Sequence, residues 1–312
     1  MEKVKAKLIE LLKDGKISGV LGFIPSSNPI KNRVFYTENP DDVEKFVVSP
    51  FNTVNPLTYL IRLKEKEKVA CFLRPCEQRG LNVLLSEGIL KRENVFVVGV
   101  PCNGAIDPFK LKMAYGGDIT SASVKDGKII VDGAKGEKEY PMDEFIPYSC
   151  KVCEPLLEKD VDLAMESNDD AREHDGYKKI EEFDNKKPDE KWEYFKKEFS
   201  KCTRCYACRE SCPMCYCEQC FVDSYDPLWV EPGLSLPDIM SYHLIKMYHM
   251  AGRCTNCGTC ERACPENIPL SLLTSMLAHR LRRDFEYIAG KSAKQKVFLG
   301  EYHYDDRGDF IK

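Results

Sequence analysis

No long hydrophobic run occurs in the 312-residue chain. No window approaches the ~18 consecutive apolar residues of a membrane helix. Mean hydropathy is −0.40, so no membrane span is expected. Charge of one sign is also scarce. Lys and Arg number 46 against 50 Asp and Glu, a net charge of −4, which lacks the basic footprint of a nucleic-acid binder. The opening stretch, MEKVKAKLIELLKDGKIS, offers neither an apolar signal core nor a cleavage site, and no secretory leader is expected. Neither GxGxxG nor GxxxxGK(S/T) is present, which removes the dinucleotide fingerprint and the P-loop. Histidine is limited to five residues, and no Ser/His/Asp arrangement stands out. His243 and His249 fall on a helical pattern, where packing is the plainer role.

Cysteine, by contrast, is plentiful: 16 residues in a chain whose hydrophobic fraction, 43%, is enough to bury a core without disulfide staples. A cytoplasmic chain keeps such thiols reduced, so metal ligation is the expected use. Five cysteines (Cys71, Cys76, Cys102, Cys150 and Cys153) precede residue 160, and eleven lie from Cys202 to Cys264. Between them runs a charge-dense stretch from Glu166 to Phe199, expected to be a solvated connector with its last third helical. The expected organisation is an α/β domain over 1–165, a charged linker over 166–199, and a mainly α-helical, cysteine-rich domain over 200–275. A C-terminal helix and docking tail would fill 276–312.

In the first part, residues 4–13 carry the apolar period of a helix and GVLGFI (19–24) reads as a buried strand. Helices are expected near 41–48 and over 55–64. The apolar runs KVACFL (68–73) and NVFVVGV (94–100) flank a helical pattern over 77–90, which predicts a βαβ unit with parallel neighbouring strands. KIIVDG (128–133) and KEYPM (138–142) read as a hairpin or peripheral strands. In the second part, 237–254 and 271–283 are amphipathic helices.

Cys202-Thr-Arg-Cys205-Tyr-Ala-Cys208-Arg-Glu-Ser-Cys212-Pro213 recurs as Cys254-Thr-Asn-Cys257-Gly-Thr-Cys260-Glu-Arg-Ala-Cys264-Pro265. Both are the C-x2-C-x2-C-x3-C-P run of 4Fe–4S clusters, in which the fourth cysteine serves the other cluster. The expected ligand sets are Cys202, Cys205, Cys208 and Cys264 for one cluster, and Cys254, Cys257, Cys260 and Cys212 for the second. Zinc would favour two CxxC knuckles instead. Cys215, Cys217 and Cys220 follow at once. They are either further ligands completed by a residue from elsewhere, or thiols that pack beside the clusters or bind zinc. In the first part both βαβ strands end in Pro-Cys, at Cys76 and Cys102, and a CxxC follows at Cys150 and Cys153. Ligands of parallel sheets bind outside the carboxyl ends of the strands. These four thiols are candidates for a third 4Fe–4S cluster ahead of zinc; otherwise they are small apolar residues and a reducible pair. Cys71 reads as core. Arg74, Glu77 and Arg79 surround Cys76 at a helix start, which would suit either an anion such as a cofactor phosphate or a solvated turn.

The long gap between the two cysteine runs, with its helix leading into Cys254, resembles the α-helical ferredoxin domain of heterodisulfide reductase small subunits and succinate dehydrogenase iron–sulfur subunits, over about 195–275. Residues 68–104, with Pro-Cys-Glu-x-Arg after one strand and Gly-x-Pro-Cys after the next, resemble the beta-subunit family of coenzyme F420 (deazaflavin) hydrogenases and formate dehydrogenases. With the flanking helices that likeness extends over 1–165. It implies FAD and electron exchange among deazaflavin, flavin and iron–sulfur clusters, with other redox subunits as partners in a hetero-oligomeric complex of anaerobes. In better-known members the ferredoxin segment precedes the flavin domain, whereas here it follows. No FAD-contacting residue carries over. Two functions are thus expected as alternatives: an iron–sulfur electron-transfer subunit of a hydrogenase, formate dehydrogenase or heterodisulfide-reductase type of enzyme, or an FAD-dependent oxidoreductase of F420 or a similar hydride carrier. Helix 271–283 and Phe298, Tyr302, Tyr304 and Phe310 would either dock a partner or pack on the chain itself.

Overall fold

The structure, a computed structural model, describes residues 1–153, 161–166, 176–300 and 304. Tyr302 and Phe310 lie outside the described residues, as does part of the charged stretch. The chain opens with α1 (Glu2–Lys13), β1 (Gly19–Ile24), β2 (Arg33–Thr37) and the short α2 (Leu57–Leu60). Then come β3 (Val69–Leu73), α3 (Pro75–Ser86), β4 (Val95–Gly99), α4 (Pro108–Tyr115), β5 (Ile119–Lys125), β6 (Lys128–Gly133) and β7 (Lys138–Pro141). After them follow α5 (Tyr148–Lys151), β8 (Leu163–Ala164), α6 (Lys178–Asp184), α7 (Pro188–Phe199), α8 (Ala207–Glu210), α9 (Leu236–Met250), α10 (Thr259–Arg262) and α11 (Leu270–Phe285).

The strands β3 and β4 are buried along nearly their whole length, which is why they read as continuous apolar runs rather than alternating ones. They pair in parallel with Leu73 opposite Gly99, and α3 forms the crossover, as the βαβ pattern predicts. The sheet order is β2-β1-β3-β4-β8, with only β2 antiparallel among the described strands. One face buries Val4, Leu8 and Leu11 of α1 against Val20, Ala70, Phe72 and Val98. A second antiparallel sheet, β5-β6-β7, packs Ile129 and Val131 against Leu111 and Tyr115 of α4.

The other face of the main sheet carries Leu21, Cys71, Leu73 and Val97, covered by Leu81 and Leu84 of α3. Met214, Met250 and Val297 from the second part join the same core. Cross-links follow the packing. The Arg79 Nε donates to the Ala289 carbonyl at 3.0 Å, and Asn82 Nδ2 to that of Gly290 at 3.1 Å. Arg253 pairs with Glu87 at 2.7 Å, and the Tyr216 hydroxyl donates to the same carboxylate.

The expected solvated connector differs in character from the segment observed. Over its described residues it forms α6 and α7, and Ile180, Phe183 and Phe199 are buried. Phe183, Tyr194, Phe195 and Phe199 make a chain of ring contacts with centroids 5.0–5.7 Å apart, which anchors the segment beside Leu272 and Met276 of α11. Aromatic burial at helical spacing outweighs the polar average of the stretch. The helix expected over 55–64 is the single α turn of α2 continued by a 3-10 turn over Ile61–Leu63, and that near 41–48 is a 3-10 turn over Pro40–Lys45. Strands β2 and β5 add to the expected set. Of the proposed docking elements, α11 buries Leu270, Leu272 and Met276, and Phe298 packs against Phe285 and Tyr287 of the chain itself. Tyr304 is exposed. No helix among the described residues is long and apolar enough to cross a membrane.

Candidate metal centre

The two cysteine runs share one backbone path. In the first, Arg204 and Tyr206 adopt φ of +52° and +58°; in the second, Asn256 and Gly258 adopt +55° and +70°. Left-handed residues on both sides of the central cysteine curl the chain around a common point, a conformation that costs free energy at a non-glycine residue unless its surroundings hold it there. The curl aims backbone N–H groups inward: Arg204 N–H donates to Cys202 Sγ and Asn256 N–H to Cys254 Sγ, each at 3.4 Å. Hydrogen bonds of this kind favour a thiolate. Short helices α8 and α10 then carry Cys208 and Cys260. The fourth cysteines close equivalent turns, Cys212 N–H to the Arg209 carbonyl and Cys264 N–H to that of Glu261, both at 3.0 Å.

Each thiol's surroundings show which others stand near it. Burial pushes the Cys202 thiol up, the Arg204 N–H pulls against it, and Cys208, Cys264 and Cys205 add repulsion. Burial raises Cys254 to about 12, with Cys257 and Cys212 adding to it. Cys260, also raised by burial, feels Cys212, Cys254 and Cys257. Cys264 is thus a neighbour of Cys202, Cys205 and Cys208, and Cys212 is a neighbour of Cys254 and Cys260. Zinc bound by four thiolates, with Zn–S of about 2.3 Å, needs sulfurs ~3.8 Å apart. Among the described residues no three His, Cys, Asp or Glu side chains converge on such a single-ion shell. Thiols in this number, two of them met by backbone N–H groups, are a donor set whose chemistry fits a 4Fe–4S cubane.

Two residues that spacing alone did not single out stand at the same place. Lys246 of α9 is only 4% exposed. Burial works against its charge, but Cys212, Cys260, Cys215 and Cys208 outweigh it and hold the ammonium above its ordinary value. The Tyr242 hydroxyl lies 3.4 Å from Cys208 Sγ. Both residues face inward from the helix that leads into Cys254, and only the helical period over 237–254 hinted at them. His243 is buried and stacked on Phe199 at 4.2 Å, a packing role.

The remaining thiols divide into two groups. Cys215 hydrogen-bonds with Cys212 and holds that thiol down. Cys217 is exposed, and Cys220 hydrogen-bonds with Arg209. With Lys246 and Arg253, Cys215, Cys217 and Cys220 line a cleft of about 490 Å³. In the α/β part, Cys71 is fully buried in β3. Burial pushes up Cys76, whose thiol neighbours are Cys153 and Cys257, and Cys102, whose thiol neighbour is Cys150. Arg74 and Arg79 form neither a solvated turn nor a free phosphate cradle. Arg74 is spanned by the Glu77 carboxylate and the Asn52 and Val54 carbonyls, and Arg79 is tied to Ala289.

Two family models match the chain. Residues 66–198 match the family described as the C terminus of the coenzyme F420 hydrogenase/dehydrogenase beta subunit, and residues 197–268 match the 4Fe-4S dicluster domain. The F420-dependent formate dehydrogenase subunit beta of Methanocaldococcus jannaschii is 25% identical over 283 residues, covering 72% of this chain and 74% of that one. The F420-dependent formate dehydrogenase 1 subunit beta of Methanococcus maripaludis is 25% identical over 295 residues, covering 75% and 76%. Among solved structures, a chain of the F420-reducing NiFe hydrogenase complex from Methanosarcina barkeri is similar at a TM-score of 0.40 and 16% identity, over 48% of this chain and 58% of that chain.

Proposed function

With an F420 hydrogenase/dehydrogenase beta-family domain joined to a 4Fe–4S dicluster domain in one chain, we propose that this protein is the iron–sulfur electron-transfer subunit of a cytoplasmic, multi-subunit oxidoreductase. In this reading residues 1–165 form the α/β domain, 166–199 connect it, 200–275 form the dicluster domain, and 276–312 form the closing helix and tail. Cys202, Cys205, Cys208 and Cys264 hold one cluster, and Cys254, Cys257, Cys260 and Cys212 hold the other. The observation that supports the reading is the shared left-handed path of the two loops, with Cys264 a neighbour of Cys202 and Cys212 a neighbour of Cys254 and Cys260.

A bound 4Fe–4S cluster exchanges one electron at a time. The chain's residues set the conditions for that exchange. The crossed ligands keep the two sites side by side, and the N–H groups of Arg204 and Asn256 stabilise thiolate charge. Lys246 offsets the negative charge gathered between the loops, where burial would otherwise make it costly.

The relatives' names, beta subunits of F420-dependent formate dehydrogenases, support a place in a complex that handles F420, with other redox subunits as donor and acceptor. A hydride carries two electrons and a cluster accepts one, so a flavin must stand between them, here or on a partner. A cavity of about 410 Å³ at the carboxyl ends of β3 and β4, lined by Asn52, Arg74, Cys102 and Asn103, favours a second reading in which this chain holds FAD itself. Two measurements on the anaerobically purified protein separate these readings. Electron paramagnetic resonance of the dithionite-reduced protein is expected to show two mutually broadened cluster signals; a single isolated signal opposes the crossed-ligand account. Flavin analysis after denaturation is expected to find little FAD, and stoichiometric FAD would select the second reading.

A further inference from the structure

The two cysteine runs match as far as their closing proline and then part. After Cys264-Pro265 the chain continues Glu-Asn-Ile-Pro, whereas Cys215, Cys217 and Cys220 follow Cys212-Pro213. The repeat does not call for these thiols, and the eight ligand cysteines leave them unused. All three line the open cleft of about 490 Å³.

The segment that bears them is fixed at both ends. On one side the Tyr216 hydroxyl donates to the Glu87 carboxylate, which also accepts from Arg253 Nε at 2.8 Å. On the other, Arg209 of α8 donates one nitrogen to both oxygens of Asp223, at 3.0 and 2.8 Å. Phe221 packs there against Tyr242 and His249 of α9, with ring centroids 6.2 and 5.4 Å apart. Between the anchors lies Cys217-Glu-Gln-Cys220, a CxxC, and the chain bends at both Glu218 and Gln219. Cys217 is exposed, while Cys220 is half-buried and opens the 3-10 turn over Phe221–Asp223. Arg209 hydrogen-bonds with Cys220 as well, and a guanidinium beside a thiol favours the thiolate.

The same contacts set the pair beside the cysteine loops. Arg209 directly follows Cys208, and Tyr242, on which Phe221 packs, has its hydroxyl 3.4 Å from Cys208 Sγ. A CxxC on a bend, with one thiol exposed and the other beside a cation, is an arrangement of reactive rather than structural cysteines. Among the described residues no three His, Cys, Asp or Glu form a single-ion shell, which disfavours zinc on these thiols. We propose that Cys217 and Cys220 are a redox-active dithiol that exchanges electrons with the two clusters, a step that rests on the electron-transfer reading above. On reduction the S–S bond breaks. Two reduced clusters each supply one electron and return to their oxidised state, and two protons from the water-filled cleft complete the thiols. Oxidation runs the same balance in reverse. The pair thus holds two electrons beside two carriers that each take one.

The test starts from the anaerobically purified full chain, treated with oxidised glutathione or with dithiothreitol, then denatured and trapped with N-ethylmaleimide. Peptide mass spectrometry is expected to find Cys217 and Cys220 joined after oxidation and both alkylated after reduction. Either thiol left alkylated or capped by glutathione after oxidation overturns the proposal, and so does a disulfide to any other cysteine. This outcome is read on the wild type and needs no variant to fold. Titration of the oxidised chain with reduced methyl viologen, a one-electron donor, then compares it with Cys217→Ser/Cys220→Ser. The wild type is expected to take up about two electrons more per chain, and the variant to keep its full iron and sulfide. Equal uptake, or a variant that loses iron or zinc, overturns the proposal. The electron-transfer reading fails separately, when the wild-type chain holds no iron and sulfide. This proposal fails when a chain with its full iron leaves Cys217 and Cys220 unjoined.

Discussion

A lysine that keeps 4% of its surface exposed needs negative charge close by, and Lys246 has four thiols for that purpose. With clusters bound, the ammonium stabilises their reduced, more negative forms. Lys246→Met is therefore expected to lower the reduction potential of at least one cluster. The expected size is several tens of millivolts, because a one-electron potential moves about 59 mV for each ~1.4 kcal/mol. A redox titration followed by electron paramagnetic resonance checks this, with the exposed Lys201→Met as control. Equal potentials in the two variants would remove Lys246 from the account. Neither Lys246 nor Tyr242 was legible as functional in the sequence. Each occupies an inward position on an amphipathic helix, where apolar packing is the ordinary expectation, and only the folded chain brings it to the cysteines.

At the level of elements, the two loops were the most legible part of the chain. Cysteine spacing is a local property, and the left-handed residues it demands lie between the cysteines themselves. The loops are nonetheless not interchangeable. Tyr206 of the first carries its ring beside Arg204 and Arg209. Gly258, its counterpart, faces Ser149 and Pro147 at distances that admit no side chain. Gly258→Ala is expected to destabilise the protein by about 1–3 kcal/mol through both the positive φ and the displaced α5. Chemical denaturation of the metal-loaded protein measures this; a change under ~0.3 kcal/mol would mean that α5 is not held against the loop. The βαβ unit was legible because strands buried on both faces read as apolar runs. Strands β2 and β5 were not. RVFYT is half-exposed beside β1, and ITSASVK is mostly polar on a sheet with one open face, so neither carries a hydrophobic period.

At the scale of the whole molecule, the cysteine-poor and cysteine-rich parts are not two beads on a solvated string. Met214 and Met250 complete the core that β3 and α3 begin, and Gly290 lies so close to Arg79 that a Cβ there would sit 2.0 Å from its carbonyl oxygen. Long-range packing of this kind leaves no local signature, since a methionine that seals another domain's sheet reads like any other. The charged stretch misled for a related reason: its mean composition is polar, while Phe183, Phe195 and Phe199 do the anchoring. This packing brings the second cysteine run beside the α/β part, with Cys257 a neighbour of Cys76. The central claim remains that the eight cysteines of the two repeats hold iron and sulfide. Iron, zinc and acid-labile sulfide per chain, measured on protein purified without oxygen, test it most directly. The expected result is at least about eight irons with matching sulfide; a chain with zinc and no sulfide would contradict it.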